Sequence, residues 1–347
     1  MKWEGVRGQA AAVALLRGAL ASGRIAHAYL LTGPRGVGKT TAAGVFVAAL
    51  MCQGQAPAGE PCGQCAACRD VAAGRHPDVH RVEPEGDVIR IEQVRQVQRR
   101  AALRPVRGRW QVFLIEPAEA AGEAAQNALL KVLEEPPAST VFILIAHQTT
   151  PLLPTVVSRC VPVRFGRLPR EVAAGILREQ FDYGDAAELG AALGDGSIWQ
   201  ATRWSPAQLR ERRDKAVALW DALWHGGPAA ALEQAQAWHD RREELLETVD
   251  LLQLWLRDLL VGRYVSQGPA AGEAAPAAAG PWVVNVDRYD ELLHRAAQVP
   301  VESVLAALES LLAFRRQVQQ HVALRTAADV LFLDLAAQAR AAAGQKG

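Results

Sequence analysis

Eight consecutive residues, Gly33-Pro34-Arg35-Gly36-Val37-Gly38-Lys39-Thr40, carry the pattern GxxxxGK[ST]. Glycines let a backbone curl until its N–H groups face phosphate oxygens, a lysine adds a point charge, and a Thr hydroxyl can ligate Mg²⁺. Gly33, Pro34, Gly36, Val37, Gly38, Lys39, Thr40 and the adjoining Thr41 are therefore candidate contacts for ATP or ADP. A chance glycine turn would satisfy the same spacing. What sets this one apart is its context, an apolar strand before it and a helix after it, which is what a phosphate loop requires.

Hydrolysis needs more than a cradle. The apolar run Val112-Phe113-Leu114-Ile115 reads as a second strand, and it leads into Glu116-Pro117-Ala118-Glu119. An acid at the end of such a strand helps to hold Mg²⁺, and a neighbouring acid polarises the attacking water. Glu116 can serve the metal, whereas Pro117 has no carboxylate to offer. Glu119 comes a turn later and is expected to point elsewhere, out of the hydrogen-bond reach that catalysis demands. Binding with little or no hydrolysis is the expectation.

Four of the five cysteines, Cys52, Cys62, Cys65 and Cys68, follow the spacing C-x9-C-x2-C-x2-C. The two x2 steps let neighbouring thiolates converge on one tetrahedral ion, and a cysteine at the end of the phosphate-loop helix closes the shell. Four sulfur donors leave no open position, so a Zn²⁺ there is structural. Free buried thiols or a redox pair are the alternatives, but a catalytic CxxC needs no third and fourth partner.

The elements that must position these groups are readable from periodicity. Helical spacing runs from residue 7 to 22, and an apolar strand from His27 to Leu31 enters the glycine turn, with a helix from Thr40 to Leu50 beyond it. Further strands are predicted at Val79 to Glu83, Trp110 to Ile115, Thr140 to Ile145 and Val161 to Phe165, with helices at Ile91 to Ala102 and Glu123 to Leu133. Such alternation predicts an α/β domain, a parallel sheet with helices on both faces, over residues 1–166. After Pro169 strand-like runs disappear. Residues 167–205 read as a small helical lid and 206–347 as an all-α domain, with an Ala/Gly/Pro loop at about 267–282.

At 347 residues the chain is long enough for two or three domains. Its 38 basic residues are almost balanced by 37 acidic ones, a net charge of +1 that argues against a free-standing, strongly basic nucleic-acid binder. No stretch reaches the roughly 20 uninterrupted apolar residues of a membrane span. A cytoplasmic protein with no membrane partner is expected. The densest basic run starts on a helix at Arg95, Arg99 and Arg100, which are candidate contacts for DNA phosphates or simply a solvated helix face. Trp204, Trp220, Trp224, Trp238 and Trp255 recur in predicted helices and are expected to be core anchors rather than base-stacking platforms. His76 and His80 are expected to make local hydrogen bonds.

Several segments appear in a fixed order: His27-Ala28-Tyr29-Leu30 before the glycine loop, the four-cysteine insert after its helix, His76-Pro77-Asp78, and Ile91-Glu92-Gln93-Val94-Arg95. The stretch from Asn127 through Leu130-Lys131-Val132-Leu133-Glu134-Glu135-Pro136-Pro137 and then Ser158-Arg159-Cys160 complete the series. Residues 4 to about 166 thereby resemble the clamp loader subunits of bacterial DNA polymerase III, which are AAA+ proteins. The resemblance implies a pentameric ring with gamma/tau and delta subunits that uses ATP to open the sliding clamp and place it on primer-template DNA. It also implies that Arg159 serves as an arginine finger toward ATP on a neighbouring subunit, a task suited to a planar, permanently charged guanidinium, the alternative being that Arg159 merely pairs with a local carboxylate. A motor of the gamma/tau kind keeps an acidic pair after the second strand and an arginine in the lid. Here Glu116-Pro117 and Gly196-Ser197-Ile198-Trp199 stand instead, which favours the delta-prime branch, with the gamma/tau motor as the alternative. No sensor residue is legible in Ala146-His147-Gln148-Thr149.

Overall fold

The computed structural model describes residues 1–267, 282–320 and 322–344. They form two compact units, Met1–Val172 and the chain from Ala173 onward. The predicted Ala/Gly/Pro loop lies outside the described residues.

In the first unit five strands, β1 (Ala28–Thr32), β2 (Val79–Val82), β3 (Gln111–Ile115), β4 (Thr140–Ala146) and β5 (Val161–Arg164), form one sheet in the order β2-β3-β4-β1-β5. All its pairings are parallel. Successive side chains of a strand point to opposite faces, and the sequence exploits this. Tyr29, Leu31, Val112, Leu114, Val141, Ile143 and Ile145 pack on one face with α1 (Ala10–Ser22), α2 (Lys39–Met51) and α3 (Ala66–Ala72). Leu30, Phe113, Ile115, Phe142 and Leu144 pack on the other with α4 (Ile91–Ala101), α5 (Glu123–Glu134) and α6 (Pro154–Val157). Strands apolar on both faces belong in the middle of a covered sheet. Phe113 and Phe142 stack there with centroids 5.4 Å apart, each fully buried and contributing about 1.5–3 kcal/mol.

The strand ends agree with expectation to within a residue or two, and the first helix starts later, at Ala10. α3 was not foreseen. It caps the cysteine loop, with the Cys65 sulfur accepting the N–H of Cys68 at its start.

The second unit is helical. After α7 (Arg170–Phe181) come α8 (Ala187–Gly194), α9 (Ile198–Ala201), α10 (Pro206–Gln236) and α11 (Arg242–Gln267), then Tyr289–Gln298, Val301–Gln319 and Leu324–Gly344. Pro206 at the first position and the Ser205 side chain accepting from Gln208 N–H start α10, and Gly227-Pro228 kinks it. Trp220 and Trp255 are buried, as expected of core anchors. Trp204 and Trp238 fall in turns instead of helices. Arg203 and Arg212 both lie over the Trp204 ring, at 5.4 and 5.2 Å. Arg213, 4% exposed, donates through NH1 to both oxygens of Asp287 at 2.6 and 2.7 Å and through Nε to Asp214 at 3.0 Å, and these carboxylate partners make burial of a guanidinium tolerable. No single described helix is long and apolar enough to cross a membrane.

Candidate functional site

Ligands of open parallel sheets bind beyond the carboxyl ends of the strands. At that edge β1 runs into Gly33, β3 into Glu116 and β4 into His147. Gly33 sits at φ +144°, and a Cβ there would lie 2.1 Å from the Phe165 carbonyl oxygen, so the loop passes too close to the end of β5 for any side chain. Gly36 and Gly38 also take positive φ, and Gly38 hands the chain to α2. Gln9 braces the loop from outside: its Nε2 donates to the Val37 and Gly166 carbonyls at 3.2 and 2.8 Å, and its Oε1 accepts the Gly166 N–H at 3.1 Å.

Lys39 is only 3% exposed. Its Nζ donates to the Gly33 and Pro34 carbonyl oxygens, both at 2.6 Å. Burial pushes its pKa down to about 8, against the opposing pull of Glu116 and Glu119. The Thr40 hydroxyl donates to Glu116 Oε1 at 2.5 Å. A hydroxyl and a carboxylate oxygen side by side at the mouth of a phosphate loop are a hard-oxygen donor pair suited to Mg²⁺. Pro117, next in line, offers nothing to a water molecule.

Glu119 was expected to point away, but its carboxylate turns toward this same edge. The single 3-10 turn Ala118–Ala120 brings Oε1 to the His147 N–H at 2.8 Å, while Oε2 is buried without a hydrogen-bond partner. His147, where no sensor residue was legible, also faces the loop. Burial, helped by the Lys39 and Arg35 charges, holds its pKa below the usual value, and its Nδ1 is likewise buried without a partner. The phosphate loop is thus faced by Lys39, Glu116, Glu119 and His147 together.

The cysteines converge as their spacing predicts. The sulfurs of Cys52, Cys62, Cys65 and Cys68 all lie within 4.8 Å of one another, with Cys62 and Cys68 at 3.9 Å. Tetrahedral ligands on bonds of about 2.3 Å stand roughly 3.8 Å apart, so the donor set is compatible with zinc. The loop is shaped around the sulfurs, since a Cβ on Gly54 would meet Cys62 Sγ at 2.6 Å. Backbone N–H groups of Cys62, Cys65 and Cys68 point at the sulfurs of Cys52, Cys62 and Cys65, at 3.3, 3.3 and 3.4 Å. Burial would raise Cys65, but donors from Cys68 and Gln53 outweigh it and hold the thiol at about 6, favouring the thiolate a metal needs. Cys160 is separate and buried, its thiol pushed up to about 12 by burial, which leaves it unreactive.

Arg159 lies just beyond α6. That short helix is set by Gln126 of α5, 3% exposed, whose side chain donates to the Ala121 and Pro151 carbonyls and accepts the Leu153 N–H at 2.7 Å. Pro154 starts the helix at its first turn. The Arg159 guanidinium donates to the Thr155 carbonyl at 3.0 Å and pairs with Glu134 Oε1 at 2.6 Å. Its side chain is 35% exposed, at the surface of the first unit, and so close a pair of half-exposed groups contributes at most about 1 kcal/mol.

Arg95 and Arg99 are exposed one turn apart on α4, with no ion-pair partner among the described residues. Arg100 instead turns toward His80, NH1 to Nδ1 at 3.3 Å. His76 makes the expected local contact, Nδ1 accepting the Asp78 N–H at 3.2 Å. Sequence reasoning missed Asp78 itself. Its buried carboxylate accepts the N–H groups of Val106, Arg107 and Gly108 at 2.5, 2.8 and 3.0 Å, and these bonds hold its pKa down against burial while fixing the basic loop after α4.

A family model described as DNA polymerase III, delta subunit, matches residues 8–169. The DNA polymerase III subunit delta' of Pseudomonas aeruginosa is 43% identical over 198 residues, 55% of this chain and 60% of that protein. The delta' subunit of Bacillus subtilis is 32% identical over 211 residues, 60% of this chain and 63% of that protein. Its tau subunit is 31% identical over 263 residues, covering 73% of this chain and 46% of that protein. The chain therefore spans less than two thirds of the length of these relatives. Together with the five-stranded parallel sheet, covered on both faces and carrying its glycine loop after β1, these matches make the chain similar to the delta' and tau subunits of bacterial DNA polymerase III, with residues 8–169 matching the delta-subunit model.

Proposed function

We propose that this chain is the delta-prime subunit of a DNA polymerase III clamp loader, a ring component that binds nucleotide, hydrolyses it poorly and presents Arg159 to a neighbouring ATPase subunit. One observation carries the reading. The cradle holds Lys39, Thr40 and Glu116 in place for phosphates and Mg²⁺, yet the next position is Pro117, while Arg159 stands half exposed on the surface of the same unit. Its partners are then gamma/tau and delta in a pentameric ring, the sliding clamp, and primer-template DNA reached through the assembled complex. Arg95 and Arg99 are its candidate phosphate contacts. Arg100, already engaged with His80, is the weaker of the three. ATP or ADP with Mg²⁺ occupies the loop, and Zn²⁺ the four cysteines. Residues 1–166 act as the AAA+ domain, 167–205 as a lid and 206–347 as an oligomerisation collar. The work is done in the cytoplasm.

A second reading, a motor of the gamma/tau kind, has one specific support: Glu119, whose buried Oε2 has no partner and which lies close enough to Lys39 to raise its pKa. Steady-state ATP turnover by the purified chain separates the two. The delta-prime reading expects turnover near background, unchanged by Glu119→Gln. Sustained turnover that vanishes in both Lys39→Ala and Glu119→Gln makes the chain a motor. In a complex reconstituted with gamma/tau and delta, Arg159→Ala is expected to depress turnover about 10³-fold, the scale of an arginine finger, without altering the fold of this subunit.

A further inference from the structure

The Arg159 side chain is long and half exposed, and left to itself it would sample many rotamers before meeting a phosphate. In this chain it does not stand alone. NH2 pairs with Glu134 Oε1 at 2.6 Å and NH1 donates to the Thr155 carbonyl at 3.0 Å, so the fork is held from two sides by its own unit. No further partner of the guanidinium is found among the described residues. A guanidinium has five donors, and most of its fork therefore remains open toward solvent.

Glu134 is an odd residue for its position. It is the last residue of α5, where the helix already presents unpaired carbonyl oxygens and where an acid is disfavoured. Lys131 in the same turn is the type of residue that position favours. An acid there has reason to be present only if it serves a partner, and its nearest cation is Arg159. The pair joins positions far apart in the chain, one closing α5 and the other following α6, and Gln126 locks the approach of one to the other.

We propose that Glu134 is a positioning residue for Arg159, holding the guanidinium in one orientation with its remaining donors facing outward so that a triphosphate on a neighbouring subunit meets a preorganised fork. This rests on the reading of Arg159 as an arginine finger. The contact uses a single carboxylate oxygen between groups that are 35% and 49% exposed, which is strong enough to bias a rotamer and weak enough not to withhold it from phosphate. Preorganisation of this kind acts on the chemical step, since the cost of ordering the side chain is met before ATP arrives.

The test is ATP turnover of the clamp loader reconstituted with gamma/tau and delta, using this subunit as wild type, Glu134→Ala, Glu134→Gln, Arg159→Ala and the double variant Glu134→Ala/Arg159→Ala. Glu134→Ala is expected to lower kcat about fivefold with KM for ATP little changed, the scale on which a half-exposed pair holds one conformer. Glu134→Gln, which keeps an oxygen acceptor, is expected to recover most of the loss. The double variant should be no worse than Arg159→Ala, because Glu134 has nothing left to position. Melting of each variant alone, unchanged from wild type, separates positioning from misfolding. If Arg159→Ala costs turnover while Glu134→Ala costs none, or if the two losses multiply, the role of Glu134 is overturned and the finger survives. If Arg159→Ala itself costs nothing, both readings fall.

Discussion

Nucleotide affinity in this protein should fall with rising pH in a range where a solvent-exposed lysine would leave it flat. Burial lowers the pKa of Lys39 to about 8 while Glu116 and Glu119 pull it back up. A bound triphosphate adds several negative charges beside Nζ and restores the pKa toward its ordinary value of about 10.4. Below pH 7 the lysine is charged before and after binding, and affinity is constant. At pH 9 about nine-tenths of the free chains carry a neutral lysine, so binding must take up a proton. The cost is about 1.4 kcal/mol per pH unit, a tenfold loss of affinity by pH 9 and about thirtyfold by pH 9.5. The nucleotide itself no longer titrates there.

A fluorescent ATP analogue titrated between pH 6.5 and 9.5, at fixed Mg²⁺ and with zinc retained, reads this slope directly. Calorimetry in two buffers of different ionisation enthalpy should find about 0.9 proton taken up per nucleotide at pH 9. Lys39→Arg keeps a cation that does not titrate, and its profile should be flat. An equal slope in Lys39→Arg, or no proton uptake at pH 9, refutes the reasoning. The nucleotide-free fold carries the opposite sign. A base whose folded pKa lies below its unfolded one destabilises the fold while it is charged, so stability is lower below pH 8 and rises between about pH 8 and 10. Over that interval the gain is up to about 3 kcal/mol. Nucleotide should remove that rise.

Zinc should be present at close to one ion per chain by elemental analysis, and Cys65→Ser should lose it, because the Cys65 sulfur is one of the four that converge and it accepts the Cys68 N–H. Thr40→Ala and Glu116→Gln should each weaken nucleotide binding in Mg²⁺ about tenfold while leaving binding in EDTA nearly unchanged, the loss of one metal ligand and not of the cradle. Arg95→Ala/Arg99→Ala in the reconstituted complex should reduce the slope of log K against log salt for primed DNA by about 1.8, two phosphate contacts' worth, with no change in nucleotide binding. Phe142→Ala, at the stacked centre of the sheet, should cost about 3–5 kcal/mol in chemical denaturation.

What could be read in the sequence is what depends on neighbours in the chain. Val112 to Ile115 announces a doubly covered strand by composition alone, Gly33 to Thr40 announces its turn by residue type, and two x2 steps announce converging sulfurs. Which strand side chains share a face of the sheet follows from parity once the strands are placed. Glu119 was misjudged because its direction depends on a tight turn at residues 118–120 and on a backbone N–H, that of His147, which lies 28 residues away. Asp78 was overlooked for the same reason. Its role consists of N–H groups 28 to 30 residues further on, and no periodicity encodes a single carboxylate waiting for a loop. Buried polar groups must find partners or forfeit stability, so these long-range pairs are as obligatory as the hydrophobic pattern, but each is made once and leaves no repeat to detect. The same holds for function. A cradle is legible because it is contiguous, whereas the groups that decide what a bound nucleotide experiences, Glu116, Glu119 and His147, reach it from two other strands. The lysine they surround looks like any phosphate-loop lysine until its burial is seen, and that burial pulls its pKa down to about 8.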